Sequence, residues 1–103
     1  MNSFSAGVTL EPKLVGLTSK TGSAAGAVIQ AKIQGAGIAD QLMLIDDNNN
    51  DMCTTATVIR YGVLECHVNS EQDYSIGTSV RVKDLNSNNA YECANDVLSE
   101  CQY

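Results

Sequence analysis

The sequence predicts an all-β domain built as a sandwich of about seven strands. Three observations predict it. Apolar and polar residues alternate with period two in the runs AVIQAKIQ, VLECHV and TSVRVKDL, the signature of half-buried strands. Clusters of Gly, Asn, Asp and Ser break these runs at intervals of roughly 8–14 residues, as in a β-sandwich. Asn, Gly, Ser and Thr are frequent and Lys is rare, a mix that favours strands and turns over helices. With four Tyr, one Phe and no Trp, the core must come from Val, Ile, Leu, Ala and Met.

The elements follow in order. Residues 1–13 read as a lead-in or linker, small and polar, with the only proline, Pro12, near its end. A domain then spans residues 14–103. Lys13–Leu17 is a short strand, and the turn 18–23 follows. Ala27–Gln34 places Ile29, Ala31 and Ile33 on one face and Gln30, Lys32 and Gln34 on the other. Gly35-Ala36-Gly37 ends it. Gln41–Ile45 is apolar on both faces, as a strand inside the sandwich is. Asp46–Asp51, DDNNND, is a turn by composition. Thr54–Tyr61 is rich in β-branched residues, and Gly62 separates it from Val63–Val68, where Leu64, Cys66 and Val68 share a face. Thr78–Leu85 turns Val80 and Val82 inward and Arg81 and Lys83 outward. Asn86–Asn89 is a turn. The last strand is expected near Val97–Tyr103. A helix over Ala90–Glu100 is the rival reading there, because Ala94, Val97 and Leu98 stand at helical spacing.

Length and charge bound the function. At 103 residues the chain holds one domain. Its net charge is −6, with only six Lys and Arg, and no basic stripe exists for nucleic acid or an anionic membrane. No apolar run approaches the roughly 18 residues of a membrane span, so membrane insertion is not expected. The first ten residues lack the basic start and long apolar stretch of a secretory leader. No Asn-x-Ser/Thr acceptor occurs.

Cys53, Cys66, Cys93 and Cys101 are an even set in a small domain, which suits disulfides in an oxidising compartment. Structural zinc sites bring two ligands two to four residues apart, and these spacings are wider. No Cys-x-x-Cys redox motif occurs. Three pairings are open to four cysteines. Sequence neighbours are the expected partners, Cys53 with Cys66 and Cys93 with Cys101, each stapling a hairpin.

The stretch from Leu14 to Gly37 carries a family resemblance. It reads LVGLTSKTGSAAGAVIQAKIQGAG. It resembles the opening of an IPT/TIG domain in its alternating strand with Val15 and Leu17, its turn closing on Gly22-Ser23, and its small run with Gly26. The alternating strand Ile29–Ile33 and the close Gly35-Ala36-Gly37 continue the likeness. Cys53 and Cys66 stand where many extracellular members carry a cysteine pair, and Cys101-Gln102-Tyr103 resembles the final strand of such repeats. Two positions depart from the pattern. Ser19-Lys20-Thr21 stands where the family often has proline, and Gly26-Ala27 where it often has Gly-Gly. The resemblance covers residues 14–103. It implies an immunoglobulin-like sandwich of the extracellular, fibrocystin-like variety, in which such domains run in tandem as spacers and contact modules.

Candidate sites are few. Asp47, Asn49 and Asp51 alternate along the acidic turn and offer the hard oxygens that Ca²⁺ prefers. An EF-hand is excluded, because counting from Asp46 puts Asp51 and Thr57 at positions six and twelve. Weak Ca²⁺ binding is the most this turn is expected to give, and a solvated hairpin loop is the competing reading. No other cofactor is expected. His67 is the only histidine and points away from the Leu64 face. No nucleophile elbow, metalloprotease helix or phosphate loop occurs, and nothing brings Glu65 and Glu100 together as an acid pair. In the lead-in, Phe4, Val8 and Leu10 sit at even positions and share a face when extended, which suits strand addition to a neighbour's sheet edge.

The expected function is therefore a non-enzymatic structural module, extracellular, secreted or at the cell surface. It would be one domain of a tandem array or a self-associating filament subunit, with neighbouring copies as partners. A recognition domain for a protein or glycan ligand, assisted by Ca²⁺, is the alternative.

Overall fold

The alternating runs form two antiparallel sheets. The computed structural model describes residues 11–19, 26–69, 74 and 77–103. Its strands are β1 (Lys13–Ser19), β2 (Val28–Gln34), β3 (Leu42–Ile45), β4 (Cys53–Arg60), β5 (Val63–Val68), β6 (Arg81–Asp84) and β7 (Ala90–Tyr91). One sheet has the order β1-β2-β5-β4 and the other β3-β6-β7. This is the strand arrangement of a constant-type immunoglobulin domain.

Register follows from which side chains need burial. Ala31 lies opposite both Leu17 and Leu64, and Ile29 opposite Cys66. A slip of one residue would turn this whole apolar set to solvent. Leu44 lies opposite Val82 in the second sheet. The sheets enclose one core, in which Leu14, Ile29, Ile33, Leu44, Met52, Leu64, Val80 and Val82 are fully buried. Each contributes about 1.5–3 kcal/mol by leaving water.

The two ends of the sandwich differ. Lys13 pairs with Gln34, so β1 starts at the end formed by residues 35–41, 61–62 and 85–89. Gly62 donates its N–H to Ala36 O at 2.8 Å and accepts from Ile33 N at 2.8 Å, and Leu85 N donates to Gln41 O at 2.9 Å. Gly62 has φ +83°, which explains a glycine at the β4–β5 turn. The last residue lies at the opposite end, where Tyr103 N donates to Thr78 O at 2.9 Å.

The C-terminal expectation needs correction. No strand spans Val97–Tyr103, and no α-helix spans Ala90–Glu100. The seventh strand is split. Ala90 and Tyr91 pair with Lys83 and Val82, and Gln102 bridges to Ser79 further down the same edge. Between them the chain leaves the sheet and makes a 3-10 turn at Leu98–Cys101. The excursion is held on the side of β1: Ala94 N donates to Leu14 O at 2.8 Å and Asn95 Nδ2 to Val15 O at 2.9 Å. Val97 and Leu98 remain more than half exposed. Their spacing with Ala94 suggested a helix, but the backbone partners available at this point are the carbonyls of β1.

Candidate functional site

Cys53 is bonded to Cys66 on the core face of the β4–β5 pair, with Cα atoms 5.4 Å apart. A bulge at Thr54 shifts the register so that Cys53 can face Cys66 two positions before its paired residue, Val68. Cys93 is bonded to Cys101, Cα atoms 6.0 Å apart, and closes the excursion. Among the described residues no cysteine is free. Two disulfides point to an oxidising environment. No helix among the described residues is long and apolar enough to cross a membrane.

The acidic turn is organised around Asp46, the one buried charged residue among those described. Its Oδ1 accepts from Asn48 N at 2.8 Å and Asn50 N at 3.0 Å, and its N–H donates to Asn50 O at 3.1 Å. Asn49 takes a left-handed conformation with φ +66°, which asparagine tolerates well. The β3–β6 register sets Arg81 opposite Ile45 and Lys83 opposite Met43, so both cations reach the turn. Arg81 Nη2 donates to Asp46 O at 2.9 Å and to Asn49 Oδ1. Lys83 Nζ lies 3.2 Å from Asp51 Oδ1.

The structure therefore engages two of the three candidate Ca²⁺ ligands, Asn49 and Asp51, each with its own cation. Asp47 is exposed and lines a neighbouring groove. No group of three or more His, Cys, Asp or Glu among the described residues is placed to hold a metal ion. Tyr74 packs against the core, and its buried hydroxyl has no hydrogen-bond partner among the described residues. Burial raises its pKa above the ordinary tyrosine value, followed by the charge of Asp46, the approach of that carboxylate to the hydroxyl (short of hydrogen-bond geometry), and the charge of Asp51.

The groove beside Asp47 has a volume of about 450 Å³ and runs between β6 and the excursion. Val80 and the Cys93–Cys101 disulfide contribute to its lining, with Arg81, Glu92 and Leu98. Arg81 Nη1 faces Glu92 Oε2 at 3.4 Å. The opposite end of the sandwich carries another surface. Ile38 and Tyr61 are over 70 % exposed there, and Leu85, at the same end, is exposed too.

His67 is exposed on the outer face of the four-stranded sheet, 3.3 Å from Glu65 Oε1. Phe4, Val8 and Leu10 lie outside the described residues. Sequence reasoning missed the pairing of Arg81 and Lys83 with the acidic turn, although their outward alternation was readable. It also missed the excursion's hold on β1. Compared with known proteins, the chain matches no protein-family model, no curated protein and no solved structure.

Proposed function

We propose that the chain is a non-enzymatic structural module of the extracellular space, one link of an end-to-end array or a self-associating filament or surface subunit. The observation that carries this reading is the placement of the two ends of the fold. The chain enters the sandwich beside Gln34 and leaves it beside Thr78, at opposite poles. Successive domains joined at these points extend in a line instead of folding back on one another. The immunoglobulin-type strand order, the two disulfides and the resemblance to IPT/TIG domains over residues 14–103 support the same reading.

The test is to join two copies end to end and measure the particle by small-angle scattering, with electron microscopy of the single chain across a concentration series. A rod twice the length of one domain, and linear assemblies of the single chain, are the expected results. A globular double domain together with a chain monomeric at every concentration would contradict the proposal.

A second reading rests on the exposed side chains of Ile38, Tyr61 and Leu85 at the end where β1 starts. In immunoglobulin variable domains the loops of one such end form the binding surface. A protein or glycan ligand held there would be weakened by Tyr61→Ala with no loss of stability.

A further inference from the structure

The four-stranded sheet has two edges, and they are treated differently. The β1 edge is covered by the excursion, through Ala94 and Asn95. The β4 edge has no partner among the described residues. The second sheet leaves no comparable edge: the outer side of β3 is already met by Met52 N, which donates to Leu44 O at 2.9 Å, and by the Ile45–Asp51 bridge, and β7 has two residues. At eight residues β4 is the longest strand among the described residues, with a run of backbone donors and acceptors available for pairing.

Its sequence does little to protect it. CTTATVIR contains five β-branched residues and no proline or lysine, and Arg60 is its only charge. Bulges at Thr54 and Ile59 leave residues 55–58 as the regular stretch. On the core face of that stretch Ala56 is only partly buried, beside the buried Val58. A small side chain at the margin of the core leaves room for larger ones from an added strand.

We propose that the β4 edge receives residues 1–10 of a neighbouring copy as an added strand, with Phe4, Val8 and Leu10 continuing the core face past Ala56. The proposal rests on the self-associating reading and names its interface. Three observations select this occupant. Residues 1–10 contain no Asp, Glu, Lys or Arg, although the whole chain carries −6, so this segment meets β4 without like-charge repulsion. At about 3.3 Å per residue, ten extended residues span about 33 Å, enough to run along all of β4. A copy's own lead-in is poorly placed, because β1 and β4 lie at opposite edges of the sheet. Crossing three strand spacings of about 4.8 Å uses four to five residues and leaves only half the segment for pairing.

The experiment is amide hydrogen exchange on the full chain, dilute and concentrated, beside sedimentation. A full-length variant carrying Phe4→Ser, Val8→Ser and Leu10→Ser is measured in parallel. Association should raise protection at amides within 55–58 by about tenfold or more, and the variant should show neither effect. Ala56→Pro and Thr57→Pro, made separately, add a second arm. Neighbouring residues of a strand point their N–H groups in opposite directions, so one proline removes an outward donor and leaves the β5 ladder intact. That folded variant should no longer form homo-oligomers, yet pair one to one with the triple variant. Association that survives in the triple variant, or that protects other strands only, overturns the β4 assignment and leaves the self-associating reading in place. A chain monomeric at every concentration overturns both.

Discussion

Arg81 donates from Nη2 to the main-chain oxygen of Asp46, 2.9 Å away and 35 positions earlier in the chain. This bond ties the acidic turn to β6, so the turn is part of the second sheet's framework. Arg81→Met should cost about 1.5–3 kcal/mol, the usual loss for a part-buried bond from a charged donor. Lys83→Met, which removes an ion pair with the half-exposed Asp51, should cost less than about 1 kcal/mol. Urea denaturation of the two variants checks the order.

The same cations bear on Ca²⁺. Asn49 and Asp51 must give up Arg81 and Lys83 before they can serve a metal ion. Calorimetry with calcium chloride should therefore show no binding tighter than about 10⁻⁴ M. Submicromolar affinity that disappears with Asp47→Ala and Asp51→Ala would show that the turn rearranges around the ion.

Tyr74 and Tyr103 both have pKa values raised above 10.0, Tyr74 by burial and then its acidic neighbours, Tyr103 by burial. The folded state therefore holds these two protons more tightly than the unfolded chain does. Their contribution to stability is complete below the unfolded tyrosine value of about 10 and is lost as pH rises through the folded values. Tyrosinate absorbance should show a late-titrating component that Tyr74→Phe and Tyr103→Phe each reduce. Tyr74→Phe should reduce the fall in melting temperature above about pH 10. At neutral pH it should change stability little, because the buried hydroxyl it removes lies toward Asp46 but makes no bond of hydrogen-bond geometry among the described residues.

Removing Cys93–Cys101 by a pair of alanines should cost about 2.5 kcal/mol, and removing Cys53–Cys66 about 3 kcal/mol, by chain-entropy arithmetic for loops of these lengths. The two variants should differ in where they loosen. Without Cys93–Cys101 the Ala94 amide should lose exchange protection while the β2–β5 ladder keeps its own. Equal loosening of β2 and β5 in that variant would mean that the excursion is integral to the core.

What the sequence disclosed was local. Ile29, Ala31 and Ile33 face inward as their alternation requires, and so do Leu64, Cys66 and Val68. The turn-forming character of DDNNND was equally legible. What stayed hidden depends on pairing between distant residues. Nothing near Asp46 indicates that it alone of its cluster is buried, or that Arg81 and Lys83 will hold the oxygens of its neighbours. Those facts come from the β3–β6 register. Val97 and Leu98 misled for the same reason, since the path of residues 92–101 is set by Leu14 and Val15, some 80 positions earlier.

The opposed ends of the fold also decide how it would bear tension. A pull between Lys13 and Tyr103 runs along the strands, so the β1–β2 ladder is loaded in shear and its hydrogen bonds resist together. If the sandwich gave way, the two disulfides would still lock the segments 53–66 and 93–101. About 70 Å of contour, at about 3.5 Å per residue, would be withheld from extension. A row of such domains would then lengthen in short steps of fixed size, each ending at a covalent stop.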